Sequence, residues 1–367
     1  MKLEKGTISS SQLTFLISGY IIGGVITVAY ATQIAQHDTW LSIIAGFGLS
    51  LLLILVYIAL AQRFPGKNLI EINDIIYGSY LGKFISLMYI FYIFTVFISQ
   101  LFFVGDFVLT FLMPETPISV VIILFTLICA WAVREGIEVI SRMSSLLVVI
   151  SLTFLLLTTL LVIKEMNLRN FLPFFDVPLI KLIQGTHVIT SIPFCEIFIF
   201  LMFFPTLNKK HELKRSVLIG VCIGGASLMI TIFRNIAVLG PIMSIITSPS
   251  YESVRLIRIA EFLTRLEILF AISLIVMLFF KSSLLYYVIA LGTAQLLNLC
   301  SYLPLVLPLG ILGIIFSIVS FDSNMEQAYV GSYIWPFWSL PFEYILPIIS
   351  LLLAKIRKLP QKQEAGS

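Results

Sequence analysis

The sequence predicts an all-α polytopic membrane protein with ten transmembrane helices. Hydrophobic residues make up 59% of the 367-residue chain and charged residues only 11%, which excludes a soluble globular domain. Ten apolar runs of about 17 to 25 residues, long enough to cross a bilayer as helices, follow one another along the chain. Two of these runs carry helix-breaking residues in mid-span, a pattern typical of transporters.

The ten predicted spans set the topology. They comprise residues 12–36, 40–61, 83–111, 117–133, 142–163, 183–205, 215–239, 266–290, 303–320 and 338–354. With both termini inside, the inner segments carry 15 Lys and Arg residues and the outer segments carry 6, so the positive-inside rule predicts cytoplasmic termini. An eleventh helix within residues 266–302, with a loop at Lys281 and Ser282, would place the basic C-terminus outside; we retain ten.

The first span contains two adjacent glycines, Gly23 and Gly24, in its middle. An unwound turn there would expose backbone N–H groups, and these donors, with the positive end of a half-helix dipole, suit a carboxylate. The first span is therefore a candidate for a broken helix at a binding site.

The sixth span carries Pro193 in its middle and Glu196 three residues later. Proline removes a backbone donor and clashes with the preceding turn, so the helix should break near Ser191 and Ile192. In hydrocarbon such a break survives only when it is buried in protein or lines a wet cavity, and an intramembrane carboxylate indicates a functional site. The alternative is a kinked helix whose Glu196 contacts lipid headgroups.

Together these features predict a central ligand pocket between the first, third, sixth and eighth spans. Residues 22–26 should face residues 191–196 across it, with an aromatic and an aliphatic wall from the third span, although side chains at that spacing also serve simple packing. The predicted ligand-binding residues are Ile22, Gly23, Gly24, Val25, Ile26, Tyr92, Val96, Ser191, Pro193, Phe194, Cys195 and Glu196.

Lys281 lies in the inner half of the eighth span. It could snorkel to the membrane interface or act as a fixed cation at the pocket. Both interpretations stay open, and Lys281 and Glu196 are the two candidates for charge coupling.

The sequence lacks the patterns of soluble enzymes. It has no phosphate loop, no Ser-His-Asp set and no nucleic-acid patch, so we expect no enzymatic activity and no cofactor. The four cysteines have no paired spacing, which argues against disulfides and metal ligation. Without an ATP-binding sequence, any transport would be secondary.

The chain divides into two halves of five spans. The broken sixth span corresponds to the first, and amphipathic stretches at residues 69–76 and 250–265 occupy equivalent loops. An odd number of spans makes the halves opposite in topology, so we predict a 5+5 inverted repeat of residues 1–163 and 183–354, followed by a cytoplasmic tail at 355–367. The alternative is that short interfacial helices are common in any membrane protein.

Several short motifs occur in a characteristic order over the whole chain. They are Lys5-Gly6-Thr7-Ile8-Ser9, Gly23-Gly24, Phe64-Pro65-Gly66-Lys67-Asn68-Leu69, Leu81-Gly82-Lys83, Arg134-Glu135-Gly136-Ile137-Glu138 with Arg142, the Pro193 and Glu196 region, Pro249-Ser250, Arg255-Leu256-Ile257 and Arg265-Leu266-Glu267. In these motifs, in their order and in its length, the chain resembles the spore germination permeases, the B subunits of endospore germinant receptors.

The resemblance implies a leucine-transporter-like fold of the amino acid, polyamine and organocation transporter superfamily. It implies unwound segments at residues 23–25 and 191–195, and it adds Ser282 and Ser283 to the ligand-binding candidates. It also implies a location in the spore inner membrane and action with an A subunit and a lipoprotein C subunit.

The leading hypothesis is a germinant receptor subunit that binds a small nutrient, an amino acid, in the central pocket and signals germination to its partners. One alternative is a working secondary amino acid transporter in which Glu196 exchanges a proton. A second alternative is a subunit that forms or gates an ion path within the complex.

Overall fold

The fold is described by a computed structural model that covers residues 6–256 and 266–360. Across these ranges the chain is helical apart from turns, loops and one isolated parallel bridge between Ile8 and Leu207. The outermost residues of both termini and the second part of the predicted amphipathic stretch, residues 257–265, lie outside the described residues. The all-α prediction is confirmed.

The first half of the chain contains seven helices. They are α1 (Ser10–Ile22), α2 (Ile26–Ala35), α3 (Thr39–Arg63), α4 (Leu69–Tyr77), α5 (Ser79–Phe111), α6 (Ile118–Glu135) and α7 (Ile137–Leu161). Capping boxes begin α1 and α4: the side chain of Ser9 accepts from the Gln12 amide, and that of Asn68 accepts from the Glu71 amide. Gly78 separates α4 from α5 with a φ of 85°, a conformation that favours glycine.

The second half contains eight further helices and several irregular turns. The helices are α8 (Leu179–Ile189), α9 (Leu213–Leu239), α10 (Pro249–Arg255), α11 (Leu266–Leu296), α12 (Leu303–Val319), α13 (Asn324–Tyr329), α14 (Trp335–Leu340) and α15 (Leu346–Ile356). After α8 come a wide turn, Thr190–Phe194, and a tight helical segment, Cys195–Met202. Two more wide turns, Val330–Ile334 and Pro341–Ile345, interrupt the apolar helical stretch Asn324–Ile356, which contains the last predicted span and is called the last span below.

Within the described ranges, eight helices are long and apolar enough to cross a membrane. One of them joins α2 and α3 into a single stretch of 38 residues, and α1 and α12 are shorter apolar helices. Each predicted span coincides with apolar helix, while the count of ten stays a prediction. Because α11 continues unbroken through Lys281 and Ser282, the alternative of a loop there is excluded.

The broken sixth span lies at the centre of the bundle. In its most apolar window, 89% of the residues of Leu179–Met202 are buried, against 17% for Ile137–Leu161. Its first part, α8, packs against α2 and α3, while α1 packs against α7, α9 and α11. The two broken spans are therefore surrounded by protein, as backbone without helical hydrogen bonds requires in a bilayer.

Candidate functional site

The first span is broken between α1 and α2, as predicted. Gly23, Gly24 and Val25 form the connecting turn. The N–H groups of Gly23 and Gly24 donate to the carbonyls of Gly19 and Ile21, each at 2.9 Å. These two donors are therefore satisfied within the turn and are not free for a ligand, which differs from the expectation for an unwound segment.

The sixth span is also broken at the predicted position. Ile192 has φ −112° and ψ 118°, an extended conformation between two helical segments, and it directly precedes Pro193. A Cβ atom built on Gly24 would lie only 2.5 Å from Cβ of Pro193. The two breaks thus pack directly against each other at this point, which requires glycine at position 24.

A buried ion pair lies beside the two breaks. Nζ of Lys281 is 2.7 Å from Oε2 of Glu196, and the side chains are 0% and 2% exposed. The Tyr20 hydroxyl donates to the same Glu196 oxygen at 3.0 Å, and Nζ of Lys281 lies 4.8 Å from the centre of the Tyr20 ring. Lys281 therefore does not snorkel: it neutralises Glu196 inside the protein.

A second buried carboxyl group, Glu343, lies in the wide turn Pro341–Ile345. Its side chain is 0% exposed, and its Oε1 accepts a hydrogen bond of 2.7 Å from the Tyr92 hydroxyl. Sequence reasoning missed this residue. The signal was present, because Pro341 precedes a carboxylate inside an apolar span, as Pro193 precedes Glu196.

A narrow cavity with a free volume of about 20 Å³, enough for about one water molecule, adjoins the sixth-span break. Its wall combines residues from α2, α5, the sixth span and the last span. Polar groups come from Glu196 and from Gln100, whose Oε1 is buried without a hydrogen bond. Of the predicted residues, Ile26, Val96 and Glu196 line this cavity.

The other predicted ligand-binding residues lie elsewhere around the breaks. Ile22 and Val25 line a separate cavity among α7, α9 and α11, with a free volume of about 50 Å³. The Ser191 hydroxyl accepts a hydrogen bond of 3.1 Å from Ser339. The remaining candidates, which do not appear in the wall of the narrow cavity, are Gly23, Gly24, Tyr92, Pro193, Phe194, Cys195, Ser282 and Ser283.

One side of the narrow cavity is closed by an aromatic side chain. The ring of Tyr30 on α2 packs so closely on Gly331 that a Cβ atom at position 331 would clash with it. Trp335 and Val330 continue the same wall. A ligand larger than a water molecule therefore requires α2 or the last span to move before it can enter.

Comparison with known proteins identifies a matching family and relatives of similar length. Residues 7–325 match the model of a family described as "Spore germination protein". The chain is 28% identical to spore germination protein KB of Bacillus subtilis (strain 168), covering 99% of both chains. It is 23% identical to spore germination protein YndE of the same organism, covering 97% of this chain and 98% of the relative.

Two solved transporter structures share the fold. One is a nucleobase-cation-symport-1 family transporter in a closed conformation with bromovinylhydantoin bound; it has a TM-score of 0.63 and 12% identity, covering 95% of this chain and 78% of the transporter. The other is a mutant of the Eremococcus coleocola manganese transporter, with a TM-score of 0.58 and 13% identity, covering 95% and 84%. The chain thus has a leucine-transporter-like fold.

Proposed function

Because the chain belongs to the spore germination protein family, we propose that it binds a small nutrient, an amino acid, and signals germination as a germinant receptor subunit. Its family and its fold are of the permease type and not of an enzyme type. The nutrient would occupy the narrow cavity, and its binding would stabilise one arrangement of the bundle.

The observation that carries this proposal is the combination of polar and apolar groups in the wall of the narrow cavity. Glu196 and the free Oε1 of Gln100 can accept hydrogen bonds from an ammonium group. The N-terminus of α2 at Ile26 presents the positive end of a helix dipole, which suits a carboxylate. Val96 and Trp335 offer an apolar wall to a side chain. These groups together match a zwitterion with a small apolar side chain.

The cellular setting is part of the same proposal. The charge bias of the loops supports cytoplasmic termini in the spore inner membrane. We propose an A subunit and a lipoprotein C subunit as partners, and two five-helix units, residues 1–163 and 183–354, as the parts that move relative to each other.

A second candidate function is secondary transport of the same nutrient. The likeness to solved transporters over 95% of the chain favours it. A receptor and a transporter would share the pocket and would differ in whether the ligand is released on the far side of the membrane.

Labelled L-alanine and L-valine in proteoliposomes test both functions. Binding after detergent opens the vesicles, without accumulation in sealed vesicles, supports the receptor; accumulation above the bound amount supports the transporter. Substitution Val96→Trp fills the cavity and should abolish binding, whereas Val120→Trp, at a position that is 42% exposed, should not. Undiminished binding to a folded Val96→Trp variant would rule out this cavity as the nutrient site.

A further inference from the structure

Glu343 differs from every other buried charge near the breaks because it lacks a basic partner. Its side chain is fully buried, and only one of its oxygens, Oε1, is hydrogen-bonded, to Tyr92. The other oxygen, Oε2, is buried without a hydrogen bond. Among residues 6–256 and 266–360, Glu343 forms no ion pair with Lys, Arg or His, and the buried Lys281 is paired with Glu196.

An ionised carboxylate in such a place is strongly disfavoured. Burial removes its hydration. Besides Tyr92, the hydroxyls of Ser191 and Ser339 lie near the carboxyl group, but Ser339 donates to Ser191 and to the Pro336 carbonyl, so these groups do not replace the lost water. The Glu196 carboxylate adds a second negative charge nearby. The carboxyl group of Glu343 is therefore most stable with a proton on Oε2, while Oε1 continues to accept from Tyr92.

We propose that Glu343 is a proton-binding site that couples protonation to closure of the bundle. In the closed arrangement Oε2 holds the proton away from water. When the last span moves and water reaches the turn Pro341–Ile345, the proton passes from Oε2 to water and leaves a hydrated carboxylate. This inference stands whether or not the narrow cavity binds an amino acid.

The surroundings of Glu343 contain few groups that could take its proton directly. The Tyr57 hydroxyl donates to the Glu343 carbonyl at 2.6 Å, and the Tyr89 hydroxyl donates to the Phe342 carbonyl at 3.0 Å. His187, on α8, contacts the hydroxyl of Tyr344 and not the carboxyl group. The titratable and charged groups facing the carboxyl group or its direct neighbours are Tyr20, Tyr57, Tyr89, Tyr92, His187, Cys195, Glu196, Lys281 and Tyr344.

The turn around Glu343 is not part of a continuous α-helix. Residues 330–334 and 341–345 are both wide turns, so the last span lacks the regular hydrogen-bond pattern on either side of α14. Trp335, at the start of α14, also lines the narrow cavity. A shift of this segment would therefore change the cavity and the access of water to Glu343 together.

Proton binding to Glu343 makes the equilibrium between the closed and open states depend on pH. The closed state binds one proton more than the open state, so raising the pH favours opening and lowering it favours closure. For a single site, the closed-to-open ratio should change by up to about tenfold per pH unit in the range where the two states differ in protonation.

Infrared difference spectroscopy of the reconstituted protein tests the proposal. We expect the wild type to show the carbonyl stretch of a protonated carboxyl group at neutral pH, and Glu343→Gln to lose that band. Tyr92→Phe removes the hydroxyl donor and should shift the band instead of removing it. Glu326→Gln, at an exposed position, should leave it unchanged.

Exchange into D₂O measures whether closure protects the proton. The Glu343 band should shift slowly at low pH and faster at higher pH, in step with opening. If Glu343→Gln folds and its spectrum matches the wild type, the carboxyl group is ionised and the proposal is wrong. If the band is present but exchanges as fast as that of an exposed carboxyl group, the coupling to closure is wrong. Should Glu343→Gln not fold, Tyr92→Phe decides by the presence or absence of the band shift.

Discussion

Nζ of Lys281 lies 2.7 Å from Oε2 of Glu196, with both side chains shielded from solvent. The pair connects the unbroken α11 to the tight segment Cys195–Met202 that follows the sixth-span break. Breaking a buried ion pair by removing one partner is far more costly than removing both, because a single buried charge is left uncompensated.

Lys281→Met should therefore lower stability by about 3 to 5 kcal/mol, the typical cost of an orphaned buried charge. The double variant Lys281→Met with Glu196→Gln should recover much of that loss. Thermal unfolding in detergent measures both. As a control, Lys67→Met removes an exposed partner of Glu71 and should cost about 0 to 1 kcal/mol. Equal losses in the single and double variants would contradict the ion-pair interpretation.

Gly24→Ala should separate the two breaks. The added methyl group would lie 2.5 Å from Cβ of Pro193, so the backbone must shift, at a cost of about 1 to 3 kcal/mol for overpacking. Binding of the nutrient should weaken in parallel. Gly48→Ala provides the matched control, because its methyl group would meet no atom within 4 Å. Similar stability and binding in the two variants would show that the contact is unimportant.

Asn235→Leu should destabilise the C-terminal end of α9. Asn235 accepts from Nε and Nη2 of the buried Arg234 at 3.3 and 3.2 Å, and also bonds Ser250 and Ser253. Its loss leaves part of a buried guanidinium group unsatisfied, so we expect a loss of about 1 to 3 kcal/mol in thermal unfolding. The exposed Asn208→Leu should change stability by less than about 0.5 kcal/mol, as is usual at surface positions.

Ile8→Pro should release the N-terminal segment. The Ile8 amide donates to the Thr206 carbonyl at 2.9 Å, and proline has no such donor. We expect a loss of about 0.5 to 1.5 kcal/mol and faster trypsin cleavage after Lys5. Ser10→Pro is the control, since proline is tolerated at the first position of a helix. Equal cleavage rates in the two variants would show that the bridge does not hold this segment.

Much of the fold follows from local sequence signals. Adjacent glycines in an apolar run weaken a helix, and a proline in the middle of such a run breaks it. Both effects act within a few residues, so both breaks were predictable. The ten apolar segments follow from composition in the same way. Gly78 could be interpreted similarly, because a glycine between two helices is a strong termination signal.

The arrangement of side chains was less predictable. Whether Lys281 snorkels or pairs depends on the rotation of α11 about its axis, which apolar residues on all sides of the helix do not specify. Glu343 was missed for the same reason: its position inside the protein depends on the two wide turns of the last span, which the sequence pattern does not specify. Ser282 and Ser283 were assigned by resemblance alone, and Ser283 lies beside Cys129 on α6, away from the narrow cavity.

The close approach of Gly24 and Pro193 joins the first broken span to the sixth at one contact. A rotation of either break would press on the other, so we expect α2 and the segment after Pro193 to move together. A displacement of either break would then reach the other through this single contact, without a long relay of side chains.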